Sequence, residues 1–230
     1  MSKREEGKQH RRDAILRAVR ELIQETHEAG FSMRALAERS GVSIVTPYNL
    51  FGSKQAILLT LLDSDIANFR RTLDDVDADE LDRLFNAVSL GTEFFDSEPD
   101  YYRTVLAAVY GTGGKEYRAM FRGPRRAFWR ELVDNAIDAG YLGKHVSTEP
   151  FTTNLVSIFF AAIMEWVTDE ISLPEMDARA QYGFALALLA VATPKSKRRL
   201  QTQVVQLQKV LLQYGAHAGR TGSRRISAIS

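Results

Sequence analysis

The stretch Ser32-Met-Arg-Ala-Leu36-Ala37-Glu-Arg-Ser40-Gly41-Val42-Ser43-Ile44-Val45-Thr46-Pro47-Tyr48-Asn49-Leu50-Phe51 reads as two short helices joined by a tight corner. Ser32 suits an N-cap, because its hydroxyl can accept from a backbone N–H left unpaired at a helix start. Met33, Leu36 and Ala37 recur at helical spacing on one face. Gly41 follows them, where a positive φ costs glycine nothing. After two residues of turn, Ser43 is read as the cap of the second helix. A glycine-containing corner this short is what a helix-turn-helix requires.

At about 100° per residue, Pro47, Leu50 and Phe51 face one way. Val45, Thr46, Tyr48 and Asn49 face largely the other, with Ile44 at the border. The second set mixes methyl groups, a hydroxyl, a phenol and an amide, which suits a helix lying in the major groove. Asn can pair bidentately with adenine, Val or Thr can touch a thymine methyl, and Tyr or Ser can hold phosphates. An ordinary corner of an all-α protein has a similar inventory, and composition alone leaves both readings open.

The pattern Phe31-Ser32, Leu36-Ala37, Gly41-Val42-Ser43, Thr46, Tyr48, Phe51, Ser53-Lys54 and Ile57-Leu58 resembles the N-terminal DNA-binding domain of the tetracycline-repressor (TetR) family. The match covers roughly the first quarter of the chain at fixed spacing. The resemblance implies an all-α dimeric transcriptional regulator, usually a repressor released from a palindromic operator by a small ligand. It assigns DNA contacts to Ser32, Ser43, Ile44, Val45, Thr46, Tyr48 and Asn49, and a phosphate contact to Lys54. Three positions depart from the family. Val45 stands where glycine is common, Pro47 where an aliphatic residue is usual, and Leu50 where His or Tyr is common. Pro47 implies a tightened helix start.

The net charge of +1 conceals segregation. Residues 1–54 carry +3, residues 195–230 carry +8 with no acid, and the middle carries −10. Basic ends around an acidic body suggest an anionic partner for those ends. The absence of cysteine excludes disulfides and thiolate chemistry and fits a reducing cytoplasm. No apolar signal region is read at the N-terminus. The apolar stretches around Leu155 to Val167 and Phe184 to Ala192 read as too short to span a bilayer, so no membrane partner is expected.

Along the chain, residues 1–12, with Lys3, Arg4, Lys8, Arg11 and Arg12, read as a disordered basic arm. Helices are expected over Asp13 to Ala29, closed by Gly30; the two of the corner; and Ser53 to about Arg71. Further helices are expected from Leu81, from Pro99, over Pro124 to Ala139, from Pro150 to about Ile171, from Pro174, and over Lys195 to about Tyr214. Residues 111–114 read as a loop, and residues 215–230 as disordered. The domains follow as 1–54 for DNA binding, 55–194 for regulation and dimerisation, and 195–230 as an extra basic helix and tail.

The aromatic load of the middle region is mostly core, yet part of it is expected to line a pocket for a small hydrophobic or aromatic effector. The candidates are Tyr101, Tyr102, Val105, Phe128, Trp129 and Phe159. Candidates for the homodimer interface are Phe160, Met164, Val167, Phe184, Leu188 and Val191, on the last two core helices. No catalytic, cofactor or metal site is expected: His10, His27, His145 and His217 are scattered, and neither HExxH nor GxSxG occurs. A ligand-independent or activating regulator, or an all-helical scaffold without DNA binding, are the alternatives.

Overall fold

The computed structural model describes the backbone at residues 3–111 and 115–226, and side chains at those positions other than 111–122, 124 and 216–226. Among the described residues the order is α1 (Lys3–Thr26), α2 (Met33–Arg39), α3 (Val45–Phe51), α4 (Lys54–Asp74), α5 (Glu80–Ser97), α6 (Pro99–Gly111), α7 (Lys115–Asp138), α8 (Thr148–Val167), α9 (Leu173–Ala190) and α10 (Pro194–Ile226). No strand forms among them beyond an isolated bridge between Leu142 and Ala192. The all-α expectation holds.

Several boundaries differ from the sequence reading. Residues 3–12 are helical rather than disordered, and α1 ends at Thr26, where His27 turns left-handed at φ 52°, ahead of Gly30. α7 begins at Lys115 and runs through Pro124, and α10 continues to Ile226. The expected loop at residues 112–114 and the last four residues lie outside the described residues. α8 spans 20 residues and so has the length and composition of a membrane span, contrary to the reading of that stretch as too short. Its Leu155, Phe159, Ile163 and Trp166 are nonetheless buried.

Two compact units result, and they do not follow the sequence boundaries at 54 and 194. The first comprises Met1–Arg71 with Ser97–Arg125, the second Thr72–Asp96 with Arg126–Ser230. In the first, Ile15, Val19 and Ile23 of α1 are buried together with Leu36 of α2 and Ile57 and Leu58 of α4. Burial of such side chains supplies about 1.5–3 kcal/mol each. α6 joins this unit through α1.

In the second unit α9 packs between α8 and α10. A Cβ on Gly183 would lie 2.5 Å from Ile158 Cγ2, so glycine there lets α8 and α9 close up. Ser172 caps α9 by accepting from the Glu175 amide at 3.3 Å. The α7 end is tied to the α9–α10 turn: Ser196 Oγ donates to the Tyr141 carbonyl at 2.5 Å, and Lys195 lies over the Tyr141 ring at 3.9 Å. Arg199 pairs with Asp79 at 2.6 Å and also with Asp82. Part of the positive charge of α10 therefore meets the chain's own acids rather than an outside anion.

Candidate nucleic-acid interface

The α2–α3 corner is built by backbone chemistry that glycine alone satisfies without strain. Ser32 Oγ accepts from the Ala35 amide at 3.0 Å and starts α2. At its other end the Val42 amide donates to the Ala37 carbonyl at 3.0 Å and the Gly41 amide to the Glu38 carbonyl at 3.3 Å. These two bonds, with Gly41 at φ 67°, make a Schellman cap. Arg39 fixes α2 to α1 by a two-pronged bond to Glu25 at 2.8 and 2.7 Å. The hydrogen bonds from Arg39 hold the Glu25 carboxyl below the usual carboxylate range.

Ser43 does not cap α3 as expected. Its hydroxyl pairs with Thr46 Oγ1 at 2.8 Å, and the residue preceding the helix is Ile44, with helical backbone and no side-chain cap bond. The Thr46 amide bonds the Ser43 carbonyl three residues back at 2.9 Å, the tightened start that Pro47 implied. Pro47 is buried, while Ile44, Val45 and Tyr48 are 50%, 56% and 51% exposed. Ser32, Ser43 and Asn49 are also exposed and Thr46 is half-buried. Ile44, Val45 and Tyr48 thus leave an exposed, partly apolar face at the start of α3. Lys54, at the start of α4, is half-buried with its Nζ 4.5 Å from the Phe31 ring centre, and burial lowers its pKa.

A residue absent from the sequence-based candidates holds this face in place. Arg12 Nη1 donates to the Leu50 carbonyl at 2.7 Å, and its guanidinium lies 4.4 Å from the Phe51 ring centre. It thus caps the C-terminal end of α3, where a cation is favoured. The available signal was its spacing, three residues before Ile15 of the buried stripe; its partner lies 38 residues away.

The proposed effector residues separate into two groups. Tyr101, Tyr102 and Val105 are buried in the first unit. There Arg20 lies 4.5 Å over the Tyr101 ring and pairs with Asp65 at 3.1 Å and Glu98 at 3.6 Å. Burial pushes the Tyr101 hydroxyl up to about 12 and raises Asp65 as well, outweighing the opposing pull of Arg20. In the second unit Trp129 makes edge contacts with Phe128, Phe159 and Phe184 at 5.2, 5.8 and 5.2 Å between ring centres.

Two of the dimer candidates require correction. Phe184 and Leu188 are fully buried within the second unit, so neither presents a surface to another copy. Phe160, Met164, Val167 and Val191 are half-buried. Leu186, at 44% exposure, together with Ala161 and Ala190, is more open. Leu186 lies two positions from both Phe184 and Leu188, which on a helix is the opposite side. Among the described residues no group of His, Asp and Glu is arranged to hold a metal ion.

Residues 15–61 match the family model of the bacterial regulatory proteins, tetR family. No curated protein matches the chain. A TetR transcriptional regulator from Rhodococcus sp. RHA1 is similar in structure at a TM-score of 0.66 and 21% identity, over 79% of this chain and 97% of its own. FadR of Thermus thermophilus, a TetR family transcriptional repressor solved in complex with lauroyl-CoA, gives 0.67 and 17%, over 79% and 95%. Tylp, a tetR regulator of Streptomyces fradiae, gives 0.61 and 18%, over 90% and 93%. Residues 15–61 thus match the TetR family of bacterial regulatory proteins, within a chain whose fold is similar to that of solved TetR-family transcriptional regulators.

Proposed function

We propose that this chain is a cytoplasmic, homodimeric, sequence-specific DNA-binding repressor, released from a palindromic operator by a small hydrophobic effector. The observation that carries the reading is the outward face of α3, where Ile44, Val45 and Tyr48 are half-exposed while Pro47 is buried. Asn49 is the base reader, Val45 the methyl contact, and Tyr48, Ser32, Ser43 and Thr46 hold the backbone. Lys54 leaves the Phe31 ring to meet a phosphate; a lysine whose burial already opposes its charge gains from that exchange. One seven-residue helix reads too few base pairs for useful specificity, so two copies act together.

The second copy is placed on the outer side of α8 and α9, using Phe160, Met164, Val167 and Val191 with the exposed Leu186. An acyl or aromatic effector fits the aromatic load of the chain, and one similar regulator was solved with lauroyl-CoA. Phe128, Trp129 and Phe159 of the second unit are its proposed contacts. Release follows if the effector binds better when the two DNA-binding heads are misspaced, and the loss of DNA affinity equals that difference.

The test is a random-sequence selection with the purified full chain, followed by titration of the selected duplex. A two-fold symmetric consensus is expected, with half-sites about one helical turn, 34–36 Å, apart. Tyr48→Ala should weaken binding to all sequences, whereas Asn49→Ala should relax preference at one base pair. Selection of no consensus refutes the reading.

A further inference from the structure

α10 carries two stripes. Leu200, Val204 and Leu211 turn toward the rest of the second unit, where α10 packs on α9. A second stripe runs beside the first at the same i, i+3, i+4 spacing, from Lys195 to Val210. It lines a groove of about 600 Å³, to which α9 contributes Gln181. The chemistry of this groove is graded along the helix. Its first turn carries the cations Lys195, Arg198 and Arg199. Thr202, Gln203 and Gln206 follow, and the aliphatic Leu207 and Val210 end it.

The cations are not equally committed. Arg199 is engaged by Asp79 and Asp82. Lys195 gives one N–H to the Ala139 carbonyl at 2.8 Å and keeps two more. Arg198 is exposed and has no carboxylate partner among the described residues. In the middle, Gln181 Nε2 donates to Ser89 Oγ at 2.8 Å and to Asp177 Oδ2 at 2.6 Å. Both of its N–H groups are thereby used, which fixes the amide and leaves Oε1 as an acceptor. Gln203 and Gln206 add amides that both donate and accept. The backbone of α10 is closed on itself as a helix, so any recognition here passes through side chains.

From Lys195 to Val210 the helix rises about 22 Å, so the groove averages roughly 27 Å² in cross-section, against roughly 80–110 Å² for an α-helix with its side chains. A helical partner does not fit; one extended chain of about six or seven residues matches the length. We infer that this groove docks an extended peptide segment of a partner protein, acidic at the end over Arg198 and Lys195 and aliphatic at the end over Val210. The carboxylate of the peptide meets the free guanidinium, its backbone amides meet Gln181, Gln203 and Gln206, and an aliphatic side chain covers Leu207 and Val210. Charge sets the direction of the chain, and the amides, which bond any backbone, leave the middle of its sequence open. The inference does not depend on the DNA-binding reading, since every residue in it belongs to the second unit.

The experiment pans a phage-displayed random heptapeptide library on the immobilised full-length protein, then titrates the selected peptide, synthesised with a fluorescein label, by anisotropy. Enrichment of Asp or Glu at one end, with Val, Leu or Ile about five positions away, is the expected result. Arg198→Gln should weaken binding of the selected peptide about tenfold or more, and Gln206→Ala about two- to tenfold. Lys197→Gln and Gln208→Ala make the same changes on α10 outside the groove and should leave affinity unchanged. All four side chains are exposed, so each variant should fold, which circular dichroism checks. A library that yields no enriched sequence overturns the proposal. Equal losses in the Arg198→Gln and Lys197→Gln variants also overturn it, because they report the net charge of α10 alone.

Discussion

Gly183→Ala adds one methyl group at the closest approach of α8 and α9. Its Cβ would stand 2.5 Å from Ile158 Cγ2, nearly 1 Å inside ordinary contact. Ile158 is β-branched and stiff at χ1, so its Cγ2 cannot swing clear without leaving its rotamer. Overpacking of this kind costs about 1–3 kcal/mol. Against it stands the helix propensity of alanine over glycine, about 0.8–1.0 kcal/mol in the interior of α9. The net expectation is a destabilisation of about 0–2 kcal/mol, or a few degrees in Tm for a chain of this length. Ile158→Ala removes the opposing carbon. In that background the clash is gone and Gly183→Ala should raise stability by up to about 1 kcal/mol. The diagnostic is this reversal of sign, read by thermal or urea unfolding of the four proteins at one fixed concentration, because association contributes to apparent stability. The same sign in both backgrounds would refute the account of α8–α9 packing.

Three further expectations concern single groups. Gly41→Ala should cost about 1–2 kcal/mol, because Gly41 sits at φ 67° with nothing within 4 Å of an added Cβ, whereas Gly41→Asn should cost less; equal losses in chemical denaturation would count against a conformational cause. Arg12→Met should lower protection of the α3 amides in hydrogen exchange by about 1–2 kcal/mol, and unchanged exchange there would show that the guanidinium does not hold the helix end. Asp177 accepts from Thr92 at 3.1 Å and Gln181 at 2.6 Å, and burial raises its pKa with no cation opposing it. A carboxyl raised in the folded state is a burden at pH above its folded pKa and is relieved as pH falls through that value. Asp177→Asn should therefore raise Tm at neutral pH, with the gain shrinking on acidification; a gain that is constant with pH would contradict this.

The corner around Gly41 was legible in the sequence because its determinants are local. Ser32, Gly41 and Pro47 act on backbone groups within a few residues, and the 3.6-residue period alone sends Pro47 inward and Val45, Tyr48 and Asn49 outward. The all-α class, the caps at Ser32 and Ser53, and the turn at Gly140 follow from the same short-range rules. What lay beyond reach was set by partners far along the chain. Arg12 reads as part of a loose arm until Leu50 and Phe51 are brought to it, and the cations of α10 look unclaimed until Arg199 meets Asp79 and Asp82. Phe184 and Leu188 were placed at an interface because apolarity is a property of the residue, whereas the side of a thoroughly apolar helix that is buried is a property of its neighbours. Periodicity determines which residues share a face; only the packed structure decides what that face meets, because burial and ion pairing arise between segments whose separation in sequence carries no record of their separation in space.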